Sequence, residues 1–158
     1  MTFGAAVAPR QERALSHSHH SQNQPALACY ISAHGYGHGV RATDIIRAFH
    51  RIAPSVPIII VSDLPRPFLE SRLSGVPAAI RPGSFDLGMV QLDSIRVDVD
   101  ATLAKAIELH ANWETLVATE CAFLRANRAG LVLADIPGIP LEAAARAGIS
   151  GGSSSPCS

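Results

Sequence analysis

The stretch that most constrains the fold is residues 28–49, where the apolar run ACYIS passes through three glycines spaced by single residues, Gly35, Gly37 and Gly39, into a helical repeat. That order reads as strand, tight loop, helix. Glycine lacks a Cβ and enters positive-φ conformations freely, so such a loop can turn sharply and admit a ligand close to the backbone. The helix is expected to begin near Val40, with Arg41 and Asp44 in its first turns and Ile45, Ile46, Phe49 and Ile52 on a buried stripe. Its unpaired N–H groups would face the loop, where an anionic or sugar-phosphate group can be held.

The loop also carries His34 and His38, with Tyr36 between them. A histidine can take a proton from a hydroxyl near neutral pH, so either is a candidate general base or ligand contact; bracing of the loop by hydrogen bonds is the competing reading. Zinc is disfavoured, because no third ligand lies close in sequence. A dinucleotide loop fits poorly: from Gly35 the order is Gly-x-Gly-x-Gly-Val, without the third glycine of G-x-G-x-x-G in its required place. A phosphate-binding P-loop is ruled out because no Gly-Lys-Ser/Thr follows, so no cofactor is implied.

The remaining chain supplies parallel-sheet material. Strands are expected over 56–62, 76–82 and 130–136, and helices over 68–73, 101–127 and 141–147. The continuous branched run of the second strand suits a sheet covered on both faces, so the fold class is α/β, a Rossmann-like parallel sheet with helices on both sides. Asp63 and Asp135 each end a strand, where open α/β sheets place ligands; capping of the next turn is the other reading of Asp63. Asp93 and Asp98, in a connection of no steady period, are read equally as sugar-hydroxyl ligands or solvent-facing acids. The pieces 89–92 and 95–99 are read as locally extended. His110 and Trp113 fall on the apolar side of the long helix and are assigned to the core, with Asp100 capping that helix.

Composition agrees with this class. The chain of 158 residues is 47% hydrophobic and balances 13 Lys and Arg against 13 Asp and Glu, so a nucleic-acid partner is not expected. Cys29, Cys121 and Cys157 show no metal spacing and read as reduced thiols of a cytoplasmic protein. Residues 1–25, with His17, His19 and His20 in a polar run, read as a disordered tail without the features of a signal or transit peptide. No apolar run reaches the length of a membrane span.

The run ISAHGYGHGVRAT (31–43) resembles the amino-terminal signature of glycosyltransferase-like proteins with the two-domain GT-B fold, including MurG-like enzymes and the amino-terminal half of plant L-arabinokinase. VSDLP (61–65), DLGMVQLD (86–93) and LADIPGIPLEAAARAG (133–148) match at the expected places. The resemblance covers residues 27–149 and implies an incomplete amino-terminal GT-B domain over 26–149. It makes His38 the candidate general base, with His34, Gly35 and Gly37 in the matched loop. By position, Tyr36, Gly39, Arg41 and Asp135 join them as candidate substrate-binding residues: Asp135, at a strand's carboxyl end, is read with His38 as a pair in which it orients an acceptor or the opening helix, and Arg41 is read as an anion contact or a solvated side chain. His34 stands where the MurG pattern has glycine, whereas the arabinokinase-like version shares it. Complete relatives would transfer a glycosyl group from a nucleotide sugar to an acceptor hydroxyl; the alternative is a noncatalytic sugar- or nucleotide-sugar-binding module of an arabinokinase-like multidomain protein. From residue 150 the pattern gives way to SGGSSSPCS, read as a disordered tail unable to form the next strand. That change implies a truncated, inactive chain lacking a carboxyl-terminal domain or partner.

Overall fold

The computed structural model describes residues 24–85, 88–90, 93, 96–136 and 138–153. Residues 1–23 of the amino-terminal tail, Asp86, Leu87, Pro137 and the last five residues, Cys157 among them, lie outside them, as do parts of the two pieces read as extended between 89 and 99. Five parallel strands form one sheet: β1 (Ala26–Tyr30), β2 (Ile58–Val61), β3 (Ala78–Arg81), β4 (Ala129–Ala134) and β5 (Ser150–Ser153), in the order β3-β2-β1-β4-β5. The helices are α1 (Tyr36–Ile52), α2 (Arg66–Arg72), α3 (Val99–Ala111), α4 (Trp113–Ala126) and α5 (Gly138–Ala147).

Every residue of β1 is buried, as a central strand covered on both faces requires. On one face Leu27, Cys29, Ile58 and Ile60 pack with Ala42 and Ile46 of α1 and Leu69 of α2. On the other, Ala28, Tyr30 and Val132 pack with Val117 and Leu124 of α4 and Ile139, Ala143 and Ala144 of α5. The chain therefore winds to one side of β1 through α1 and α2, and to the other through α4 and α5. This is a Rossmann-like parallel α/β architecture.

The structure moves four sequence boundaries. The first helix starts at Tyr36, not near Val40, so Gly37 and Gly39 are helical and only Gly35, at φ +142°, takes the positive-φ turn. Glycine lowers helix propensity by about 1 kcal/mol, but tertiary packing overrides it: a Cβ on Gly39 would lie 2.6 Å from the Phe68 ring and 2.7 Å from Leu64 Cδ1. The close approach of α2 to the start of α1 thus depends on Gly39. The buried face of this helix is Gly39, Ala42, Thr43 and Ile46, which leaves Ile45 and Ile52 exposed, contrary to the stripe expected from the sequence.

The helix expected over 101–127 is two helices. Asn112 sits between α3 and α4, and Asp98, rather than Asp100, caps α3 by accepting from the Ala101 amide at 2.9 Å. α3 has no buried residue: Leu103 and Ile107, placed on the core stripe by periodicity, are exposed, and so is His110. Trp113 does pack against the core, and Gly138 accepts its ring closely, a Cβ there falling 3.2 Å from it.

The third revision concerns residues 150–153, which form β5 despite a Ser/Gly composition that predicts no strand. Gly148, at φ +71°, ends α5: its amide bonds Ala145 O at 3.1 Å and the Ile149 amide bonds Ala144 O at 2.8 Å, a Schellman pair that aims the chain back along the sheet. Leu131 to Ala134 then offer a free parallel edge to Ser150–Ser153. Backbone pairing, not side-chain burial, makes this strand, and Gly151 lets Leu141 of α5 close over it with 3.2 Å to a notional Cβ.

The fourth revision concerns Asp63, which does not cap α2; its Oδ1 accepts the Gly83 amide at 2.8 Å and ties the end of β2 to the segment after β3.

One polar cluster lies in the core. Glu120 of α4, 2% exposed, accepts the Tyr30 hydroxyl at 2.7 Å and takes Nη2 of Arg81 on both carboxylate oxygens at 2.7 Å each. The Arg81 guanidinium stacks 3.8 Å from the Phe123 ring centroid. Removing Arg81 strands a buried carboxylate, so Arg81→Met is expected to destabilise the domain by about 3 kcal/mol in urea unfolding. The double variant Arg81→Met/Glu120→Leu should recover part of that loss.

Burial also raises the Cys29 thiol from 9.0 to about 12, and burial together with the Glu120 contact raises Tyr30. The unfolded chain releases the Cys29 proton near pH 9 while the native one keeps it, so stability falls as pH rises from about 9 to 12. Cys29→Ala should flatten that alkaline decline in stability-versus-pH measurements, leaving the part due to Tyr30.

Candidate functional site

The sheet order places a topological switch between β1 and β4: the connection after β1 leaves toward β2 and the connection after β4 toward β5. Open α/β sheets bind ligands outside the carboxyl ends of the strands at such a switch. The β1–α1 loop and the start of α1 form one lip, and Asp135, the residue after β4, forms the other. The Asp135 amide bonds Tyr30 O at 3.0 Å, which fixes its backbone to the end of β1.

His38 Nδ1 meets Asp135 Oδ2 in a hydrogen-bonded contact across these lips, joining residues 97 positions apart. Asp135 is 3% exposed, so its carboxylate is held away from water, while the His38 side chain is about one-third accessible. Arg41 Nη2 stands 4.0 Å from the other carboxylate oxygen. A carboxylate only accepts, so the ring presents its Nδ1–H to Asp135 and keeps Nε2 as its accepting nitrogen. An imidazole held in one tautomer by a buried carboxylate can accept a hydroxyl hydrogen bond or take the hydroxyl proton.

The other candidates fall around this pair. α1 begins without a side-chain cap and without an acid in its first turn, so its leading N–H groups have no partner from a capping side chain. Gly35 supplies the positive-φ entry, and a Cβ on Gly37 would meet nothing within 4 Å, which leaves the first turn open. His34 is exposed; its amide donates to Ser32 Oγ at 3.3 Å, and its ring occupies the space a side chain at Gly88 would need, 1.7 Å from a notional Cβ. Tyr36 is exposed and packs edge to face with Phe68, centroids 4.9 Å apart. Gly39 is buried beneath Leu64 and Phe68, so it shapes the lip and has no open side of its own.

Two acids read as ligand candidates serve local structure instead. Asp93 accepts Arg96 Nε at 2.6 Å and the Arg96 amide at 2.9 Å, and Asp98 is the α3 cap. Gly88, inside the matched run 86–93, and Phe68, at the start of the helix expected over 68–73, support the site although neither is a candidate site residue from sequence, since neither adjoins the glycine run nor a strand end. Among the described residues no three His, Cys, Asp or Glu side chains converge as a metal set, and no helix is long and apolar enough to cross a membrane.

No protein-family model matches the chain. L-arabinokinase of Arabidopsis thaliana is 31% identical over 130 residues, covering 82% of this chain and 12% of that protein. The relationship is thus a distant, partial homology, and the chain spans about an eighth of the curated relative it matches. The C-terminal domain of a hydrogenase from Pyrococcus furiosus superposes with a TM-score of 0.50 at 14% identity, over 82% of this chain and 89% of that one. At that identity the likeness is one of fold, the parallel α/β sheet.

The tautomer follows directly from the geometry. In long-range 1H–15N spectra His38 is expected to carry its neutral-form proton on Nδ1. Asp135→Asn, which keeps an accepting oxygen, should preserve that assignment, whereas Asp135→Ala should shift the ring toward Nε2–H.

Proposed function

We propose that this domain is a sugar- or nucleotide-sugar-binding module of the arabinokinase-like kind, taking its ligand in the crevice at the β1–β4 switch. The observation that carries the reading is the His38–Asp135 pair, an accessible imidazole oriented by a buried carboxylate at the place where open α/β sheets bind ligands. Nε2 of His38 receives a sugar hydroxyl. The leading N–H groups of α1, with Gly35 and Gly37 leaving the backbone open, donate to a hydroxyl or phosphate oxygen. Arg41 adds positive charge beside the carboxylate, and His34 lies at the rim. The partial homology to L-arabinokinase supports a sugar as the ligand. Binding of this kind needs no proton transfer within the domain.

The Asp–His geometry also favours a second reading, drawn from the GT-B resemblance. In it His38 removes the proton of an acceptor hydroxyl while a nucleotide sugar, held mainly by a second domain, gives up its glycosyl group. Asp135 orients the ring and stabilises the imidazolium that forms.

Calorimetric titration of the chain with L-arabinose and with a nucleotide-linked arabinose separates these readings when paired with an assay for nucleotide release. The binding-module reading expects saturable binding, weakened about 5- to 10-fold in His38→Ala by loss of one hydrogen bond, and no nucleotide release. Nucleotide release that depends on an added acceptor and falls about 10²–10⁴-fold in His38→Ala would establish the transferase reading instead. Absence of binding to either ligand would overturn the module reading.

A further inference from the structure

We infer that Tyr36 is a specificity-determining residue whose ring stacks on a further ring of the ligand, so that the site takes a sugar linked to another ring-bearing group rather than a free monosaccharide. This rests on the proposed sugar-binding reading of the crevice. Tyr36 and His38 stand two apart at the start of α1. Side chains at that spacing leave opposite flanks of a helix. His38 reaches Asp135 at the end of β4, while Tyr36 turns to Phe68 at the start of α2. Between them lies Gly37, where a Cβ would meet nothing within 4 Å. A ligand that engages His38 and continues over the bare first turn arrives at the Tyr36 ring.

The ring is prepared for that contact. It is 57% exposed, so a ligand can reach it. The contact with Phe68 is edge to face, at 62° between the planes, which leaves at least one Tyr36 face uncovered. Phe68 is itself packed against the core formed by α1, α2 and the sheet. Its position under Tyr36 depends on Gly39, since any Cβ there would collide with the Phe68 ring at 2.6 Å. The glycine is therefore part of the same device: it lets α2 come close enough to brace the tyrosine. An aromatic face so held stacks against a flat partner, and both a nucleobase and the C–H face of a second sugar supply one.

The test titrates wild type, Tyr36→Leu, Tyr36→Phe and His38→Ala with three probes: free L-arabinose, a nucleotide-linked arabinose and an arabinose-containing disaccharide. Tyr36→Leu is expected to weaken the nucleotide-linked arabinose, the disaccharide or both by roughly 5- to 100-fold, the range for loss of one aromatic stack. Binding of free arabinose should change less than about 2-fold, and Tyr36→Phe should bind like wild type, as expected when the ring face rather than the hydroxyl makes the contact. Weakening confined to the nucleotide-linked probe places the stacked ring in the nucleotide, and weakening confined to the disaccharide places it in the second sugar. Equal weakening of all three probes, or binding of the nucleotide-linked arabinose and the disaccharide unchanged in Tyr36→Leu while His38→Ala weakens it, would overturn the role of Tyr36 and leave the sugar-binding reading standing. Failure of wild type to bind any probe would overturn both.

Discussion

Parallel pairing of β1 with β4 is the constraint on which this domain depends. Leu27 to Tyr30 run beside Leu131 to Ala134 in register, and two parallel neighbours must each be followed by a crossover. The crossovers go to opposite sides, α1 and α2 covering one face of the sheet and α4 and α5 the other. The central strand is buried throughout as a result, and the carboxyl ends of β1 and β4 lie side by side at the switch. The amide of Asp135 bonding Tyr30 O extends the same pairing by one residue beyond the strand. The sheet thereby delivers a carboxylate to the lip.

A carboxylate so well buried needs compensation from the groups around it. The structure supplies it from α1, through the His38 ring and the nearby guanidinium of Arg41. The second buried carboxylate, Glu120, is satisfied differently, by Arg81 and Tyr30 in the core on the α4 side. The two acids illustrate a division of labour. Glu120 is enclosed by a cation, a hydroxyl and the Phe123 ring that stacks on the cation, and it ties α4 to β1 and β3. Asp135 faces a histidine that water can still reach, and it leaves a nitrogen available for chemistry or recognition.

Glycine acts in three distinct ways along the chain. Gly35 takes a backbone conformation that other residues enter only with strain, and it starts α1 abruptly. Gly39 is helical and buried, and its value lies in the space it cedes to Phe68 and Leu64. Gly148 closes α5 with a Schellman pair and sends the chain into β5.

Much of the fold was legible in local pattern. The apolar runs around Ala28, Ile59 and Val132 are strands, the strand-to-helix turn lies at the glycines, and His38 and the acid ending the fourth strand are both candidate site residues from sequence alone. Local pattern also misled where tertiary contacts decided. Periodicity joined α3 to α4 and assigned Leu103 and Ile107 to a core that does not reach them. Glycine propensity started α1 a turn late, because the packing of Phe68 on Gly39 is invisible in a window of neighbouring residues. Composition denied a strand at residues 150–153, because an edge strand can be held by backbone hydrogen bonds that composition does not register. The sequence by itself determined that the apolar runs of β1, β2 and β4 could be buried strands and which side chains were candidates for chemistry. Only the tertiary structure decided that His38 meets Asp135 and that Glu120 meets Arg81, because those contacts join residues 97 and 39 positions apart through the order in which the strands pair.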